Sequence, residues 1–194
     1  MAHVLVPLAQ GCEELEAVTI IDLLRRAGVE VTVAGLEDGP VTASRGVVLM
    51  PDTTLEAVLD RDFDLVVLPG GLGGAQRLEA DQRIAALLRR MSEQGRYVAA
   101  ICAAPKVLAS AGLLKNREAT AYPGILDAQA AQAAGIRLSS AAVVRDGTFI
   151  TSRGPGTAMD FALTLVETLC GRDTRDTVVT GVEMFRKILD DGQA

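Results

Sequence analysis

The residues of this chain best suited to chemistry are one thiol, Cys102, and one carboxyl, Glu16, with backbone donors on offer from Gly70-Gly71. Cys102 stands where the apolar run Tyr97-Val98-Ala99-Ala100-Ile101, which follows the breaker Gly95, gives way to Ala103-Ala104-Pro105. Such a run suits a strand buried on both faces. A proline suits the first turn of a helix, where its missing N–H costs nothing. The pattern predicts a strand-to-helix elbow with Cys102 at its tip. Free N–H groups and a helix dipole at such a turn favour the thiolate, so a lowered thiol pKa is expected. Small neighbours, Ala100 and Ala104, let the turn close as in the Gly-x-Ser-x-Gly elbow of hydrolases. A buried structural cysteine fits the same local pattern, and both readings stand at this point.

Glu16 falls with Glu13, Ile20, Leu23 and Ala27 on one helical face, beside an apolar stripe. A carboxyl at the rim of an apolar pocket has a raised pKa and can shuttle a proton. An acid in a first helical turn also needs no function, because the helix dipole alone favours it. That simpler reading covers Glu13 and Glu14. Gly70 and Gly71 follow Pro69 and fit either a tight turn or N–H donors aimed at a reacting oxygen. Cys12 is read as a small buried filler or as a resolving thiol for Cys102, and Cys170 as structural. His3 is the only histidine. It lies at the amino end of the first expected strand, roughly 15 to 20 Å from the opposite edge at about 3.3 Å per residue. A cysteine–histidine dyad within one chain is therefore not expected, nor is a metal site of histidine with cysteine or carboxylate. Gly154-Pro155-Gly156 lacks the spacing and the Lys-Ser/Thr of a phosphate-binding loop.

The elements that must position these residues alternate. Val4 to Leu8, Glu30 to Leu36, Asp64 to Leu68 and Tyr97 to Ile101 read as strands, and Glu13 to Ala27 as a helix closed by Gly28. Val41 to Met50 is expected as a short hairpin or edge element, Asp52 as the cap of a helix to Leu59, and Asp81 as the cap of a helix to Glu93. Ala119 to Tyr122 reads as a short strand and Gly124 to Ala134 as a helix. Leu138 to Val144 with Phe149 to Thr151 reads as a hairpin turned by Asp146-Gly147. Thr157 to Leu169 and Thr177 to Leu189 are expected as the last helices. This alternation predicts an α/β fold with a mostly parallel sheet, helices on both faces, and a ligand crevice at the carboxyl ends of the strands. Residues 8 to 16, 69 to 71 and 102 all fall at that edge.

Length and composition narrow the function. The 194 residues suit a single domain over the whole chain. Apolar residues make up 49% but aromatics only 3%, so Ala, Val, Leu and Ile must fill the core, as in a parallel sheet between helices. A net charge of −6 argues against nucleic-acid binding. No apolar run reaches a membrane span, and the acids Glu13, Glu14, Glu16 and Asp22 stand where a signal peptide is apolar. A cytoplasmic location is expected. Three cysteines without regular spacing suit reduced thiols.

Several segments together resemble the DJ-one/ThiJ/PfpI superfamily, in the branch of the parkinsonism-associated deglycase and bacterial YajL. They are Gly11-Cys12-Glu13-Glu14-Leu15-Glu16, Arg25-Arg26-Ala27-Gly28, Val33-Ala34-Gly35-Leu36, Ser44-Arg45, Leu68-Pro69-Gly70-Gly71, Ala99-Ala100-Ile101-Cys102-Ala103 and Thr151 to Thr157. The resemblance covers nearly the whole chain. It implies a flavodoxin-like, class I glutamine amidotransferase-like sandwich that forms a homodimer, with Cys102 as the reactive cysteine and Glu16 as its partner acid. Gly70, Gly71 and Ala103 match backbone positions bordering the pocket. Arg26, Arg45, Tyr122, Arg153 and Pro155 match the substrate pocket or the interface. The implied activity is a cofactor-independent one of carbonyl stress. It is either that of a glyoxalase taking methylglyoxal or glyoxal to a hydroxy acid, or that of a protein deglycase acting on glycated adducts. The alternative is an oxidative-stress sensor and redox-regulated chaperone of unfolded clients, working through oxidation of Cys102. Two departures matter. Tyr122 stands where some relatives carry a histidine, and a phenol with a pKa near 10 donates a hydrogen bond but is a poor base at neutrality. Ala103 stands where peptidase-like relatives carry histidine, so peptidase activity is not expected.

Overall fold

The computed structural model describes residues 1–184. Apolar β-branched runs and capped helices alternate through the first half: β1 (His3–Leu8), α1 (Glu14–Arg26), β2 (Glu30–Gly35), the hairpin β3 (Val41–Thr42) and β4 (Val48–Leu49), then β5 (Thr53–Thr54) and β6 (Leu65–Leu68). Next come α2 (Leu72–Ala80), α3 (Gln82–Glu93), β7 (Tyr97–Ile101) and α4 (Pro105–Ser110). The second half adds β8 (Glu118–Ala119), α5 (Ala128–Ala133), β9 (Arg137–Leu138), β10 (Val143–Asp146), β11 (Phe149–Ser152), α6 (Ala158–Cys170) and α7 (Arg172–Gly181). The main sheet runs β10-β11-β7-β6-β1-β2-β5, parallel throughout except for β10. This is the expected α/β sandwich, a mostly parallel sheet with helices around it.

The core explains why so few aromatics suffice. Val4, Leu5 and Val6 of β1, Leu65 to Leu68 of β6 and Val98 to Ile101 of β7 are almost wholly buried, as central strands covered on both sides require. Around them α1 packs on α6 and α2 on α4, while α3 lies on β6 and β7. The parallel order brings the carboxyl ends of β1, β6 and β7 side by side. The loops and helix start that follow them carry Glu16, Gly70-Gly71 and Cys102.

Several elements differ from the sequence-based expectation. Asp52 caps no helix; its carboxylate accepts from the Val33 N–H at 2.9 Å and pairs with Arg25 at 3.0 Å, and only a 3-10 turn, Glu56–Val58, follows β5. Helix α2 was not foreseen, because Gly73 and Gly74 lower helix propensity in its first turn. Gly74 is there for contact: a Cβ on it would lie 2.7 Å from the Cys12 Cα. Leu138 pairs with β8 in a separate small sheet rather than joining the β10–β11 hairpin. Helix α5 is shorter than expected and is capped by Asp127. The last helix starts five residues early, at Arg172, and the expected residues 185–189 lie outside the described residues.

Candidate active site

Cys102 occupies the elbow between β7 and α4 with φ of 64°, a left-handed conformation that costs a non-glycine residue about 1–2 kcal/mol. Three backbone hydrogen bonds hold it there. Its N–H donates to the Ser152 carbonyl at 3.0 Å, its carbonyl accepts from Tyr122 N–H at 2.9 Å, and Ala104 N–H donates to the Ile101 carbonyl at 3.0 Å. Pro105 opens α4 as expected. Cys102 is 9% exposed, so the elbow is nearly closed to solvent. A cavity of about 500 Å³ between Leu36, Arg77 and Arg83 does not include it.

Glu16 is wholly buried in the first turn of α1. One carboxyl oxygen, Oε2, accepts the Gly70 N–H at 2.8 Å. The other, Oε1, has no hydrogen-bond partner of ordinary geometry, and the thiol of Cys102 is the polar group that faces the carboxyl. Burial pushes the Glu16 carboxyl up to about 7, against the lowering effect of Gly70 N–H and the thiol. A group with this pKa both gives and takes protons near neutrality.

The thiol does not show the lowered pKa expected at an elbow. Burial, followed by the charge of ionised Glu16, pushes it from about 9 up to about 12. That rise corresponds to about 4 kcal/mol, whereas a helix dipole supplies at most about 2 kcal/mol to a buried group, and α4 is only six residues long. The Gly71 and Ala103 N–H groups oppose the rise. Neither donates to a backbone carbonyl, so both remain free for a sulfur anion or a reacting oxygen. When Glu16 is protonated, the opposing charge disappears and the carboxyl becomes a donor toward the sulfur. Between about pH 7 and about pH 12 the pair holds a single proton, carried by the thiol.

Gly70 differs from the expected donor role: its N–H is committed to Glu16 and its carbonyl accepts from Glu13 N–H at 3.0 Å. Its importance is its size. A Cβ there would lie 2.6 Å from the Cys102 Cβ and 2.7 Å from Glu16 Oε2, so any side chain would wedge the pair apart. Gly71 has φ of 80° and touches the Gly11–Glu13 backbone where a Cβ would sit. Its close approach and its positive φ both require glycine.

A family model of the DJ-1/PfpI family matches residues 2–168. The chain belongs to the DJ-1/PfpI family. Within this family, Protein dj-1beta of Drosophila melanogaster is 45% identical, over 92% of this chain and 95% of its own. The crystal structure of Drosophila melanogaster DJ-1beta matches with a TM-score of 0.88 at 42% identity, over 95% of this chain and 99% of that one. The glutathione-independent glyoxalase DJR-1.2 of Caenorhabditis elegans is 34% identical, over 92% of this chain and 93% of its own. Toxoplasma gondii DJ-1, solved in an oxidised form, matches with a TM-score of 0.87 at 38% identity, over 94% of this chain and 98% of that one.

The other residues singled out in this DJ-1/PfpI chain fall into two groups. Tyr122 is half exposed, and its backbone N–H holds the Cys102 carbonyl. Its ring lies 3.2 Å from where a Gly154 Cβ would stand, and Tyr122 shares cavity walls with Arg153 and Pro155. Arg26 and Arg45 lie elsewhere: Arg26 pairs with Asp22 at 2.7 Å on exposed α1, and Arg45 is exposed in the β3–β4 loop. Cys12 packs against Gly74, and burial followed by the Glu14 charge pushes its thiol up to about 11, which fits the filler reading. Glu14 was missed as anything more than a first-turn acid. Its carboxylate accepts from Ser44 Oγ at 3.0 Å and from Arg45 N–H at 2.8 Å, tying the β3–β4 loop to α1. No local pattern marks a contact across thirty residues. Among the described residues no group of three metal-ligating side chains converges, and no helix is long and apolar enough to cross a membrane.

Proposed function

We propose that this protein is a cysteine-dependent, cofactor-independent glyoxalase acting on small α-oxoaldehydes such as methylglyoxal. The observation that carries the reading is a buried carboxyl with a pKa near 7 facing a lone thiol at a strained elbow. The name of the Caenorhabditis elegans relative, a glutathione-independent glyoxalase, supports the same chemistry. The Cys102 thiol loses its proton to ionised Glu16 as sulfur adds to the aldehyde carbon. The carboxyl returns that proton to the new alkoxide, giving a hemithioacetal. Glu16 then removes the hydrogen from C1 as a proton, the resulting enediol is protonated at C2, and a lactoyl thioester remains on Cys102. Water hydrolyses the thioester, releasing lactate and restoring the thiol. The Gly71 and Ala103 N–H groups stabilise the oxyanions along the way. Tyr122 contributes a hydrogen-bond donor and no base. The test is stoichiometric conversion of methylglyoxal to lactate, lost in Cys102→Ser; methylglyoxal loss without lactate refutes it.

The same site supports a second reading, a sensor in which Cys102 is oxidised to a sulfinate. Protonated Glu16 and the two free N–H groups are suited to hold its oxygens, and the Toxoplasma relative was solved oxidised. Mild peroxide followed by mass spectrometry is expected to find Cys102 modified before Cys12 and Cys170. Equal modification of all three contradicts this reading.

We further propose that the chain pairs with itself through α1 and the β3–β4 hairpin. Leu15, Val18, Val47, Val48 and Met50 are 46% to 72% exposed there, and Val18 and Met50 border one cavity of about 270 Å³. Exposed apolar groups gathered in this way mark an association surface. Arg26 and Arg45 belong to these two elements. Sedimentation is expected to show a dimer that Val18→Asp converts to monomer; an unchanged mass would place the contact elsewhere.

A further inference from the structure

The left-handed turn at Cys102 is gripped from both sides by main chain from other parts of the fold. On one side its N–H donates to the Ser152 carbonyl at the end of β11, at 3.0 Å. This grip continues the β7–β11 ladder, in which Ser152 pairs with Ile101. On the other side its carbonyl accepts from the Tyr122 N–H at 2.9 Å, in the segment after β8. No ladder stands behind this second grip, because β8 pairs with β9 only through Glu118 and Ala119. Among the described residues, the N–H groups from Thr120 to Tyr122 make two bonds, one to the Cys102 carbonyl and one to a side chain. That side chain is Thr151, the residue before Ser152. Its Oγ1 accepts the Thr120 N–H at 2.9 Å, and both threonines are 1% exposed. The neighbouring hydroxyl, Thr120 Oγ1, is buried without a partner, so the Thr151 oxygen alone makes the tie.

We propose that Thr151 is a positioning residue for Cys102, its hydroxyl oxygen joining the two main-chain segments that grip the elbow and so keeping the turn left-handed. A non-glycine residue persists in that conformation only where its surroundings over-determine it. Thr151 supplies the missing constraint: with the Thr120 N–H fixed, the Tyr122 N–H two residues on stays where the Cys102 carbonyl meets it. The sulfur then faces the Glu16 carboxyl and the Gly71 and Ala103 N–H groups. Without the tie the turn relaxes, and the sulfur swings out of its buried place. The consequence for turnover rests on the glyoxalase reading, whereas the hold on the elbow does not.

Thr151→Val keeps the β-branched shape but removes the acceptor and leaves the Thr120 N–H buried and unpaired. With methylglyoxal its kcat is expected to fall by about ten- to a hundredfold, the scale of a misplaced reacting group, with KM within about twofold of wild type. Iodoacetamide at about pH 8 should alkylate Cys102, located by mass spectrometry, several-fold faster in the variant, because the released sulfur escapes the burial that pushes its pKa up. Thr151→Ser, which keeps the oxygen, should restore both values. A lowered melting midpoint with kcat and alkylation unchanged means that Thr151 only fills the core, and overturns the proposal. Faster alkylation in the valine variant of a protein whose wild type makes no lactate leaves the hold standing and removes the glyoxalase reading instead. Amide hydrogen exchange on the wild type decides the matter even if the valine variant does not fold. The Thr120 and Tyr122 N–H groups should open together, with protection within about threefold of each other. A Tyr122 N–H that exchanges freely while that of Thr120 stays protected overturns the proposal.

Discussion

Cys102→Ser is expected to lower lactate formation from methylglyoxal by roughly a thousandfold or more, the scale of losing a covalent nucleophile, while the fold is kept. Serine fills nearly the same volume and accepts the same left-handed backbone, because the Ser152 and Tyr122 hydrogen bonds that hold φ at 64° involve main-chain atoms only. What changes is acidity. Glu16, with a pKa of about 7, lies below the Cys102 thiol at about 12 and further still below a serine hydroxyl in the same buried position. Lactate measured alongside the thermal midpoint checks both halves. Full turnover by the serine variant would show that the chemistry lies elsewhere.

Glu16→Gln is expected to act in two opposite directions. Turnover should fall by about 10² to 10⁴, the range for loss of a general acid–base group. Stability should rise, and more so at high pH. Burial raises the Glu16 carboxyl from about 4.5 to about 7, so the folded protein holds a proton that the unfolded chain releases between those values. Its contribution is therefore complete below pH 4.5 and is lost as pH rises through about 7, amounting to about 3 kcal/mol by pH 8. Glutamine has no charge to bury and its carbonyl still accepts the Gly70 N–H. The stability difference between variant and wild type in urea should thus be small at pH 4.5 and reach about 2 to 3 kcal/mol at pH 8. The wild-type rate should rise with pH through about 7, since the proton-abstracting form is the carboxylate. Parallel stability curves for the two proteins would mean that this carboxyl titrates normally.

The sheet and the gathering of the site were legible in the chain because buried parallel strands leave unbroken apolar runs, and β1, β6 and β7 have them. The elbow was legible from Ile101-Cys102 followed by Pro105. Helix α2 was hidden because Gly73 and Gly74 serve contact with Gly11 and Cys12, a tertiary demand that overrides propensity. Asp52 was misread, and the second role of the first-turn acid Glu14 was missed, for a related reason: each looks like a local helix-start acid, and each bonds a distant segment. The direction of the Cys102 pKa was missed because the favourable dipole is a local feature, whereas burial and the facing carboxylate come from elements far apart in sequence. The loss of Gly70 as a donor has the same origin, since Glu16, fifty-four residues earlier, takes its N–H.

The most direct test of the Cys102–Glu16 pair is proton NMR of methylglyoxal incubated with a catalytic amount of the wild-type protein, without glutathione. Lactate should appear in step with methylglyoxal loss over many turnovers. Loss of methylglyoxal with no lactate, or lactate equally abundant with Cys102→Ser, would contradict it.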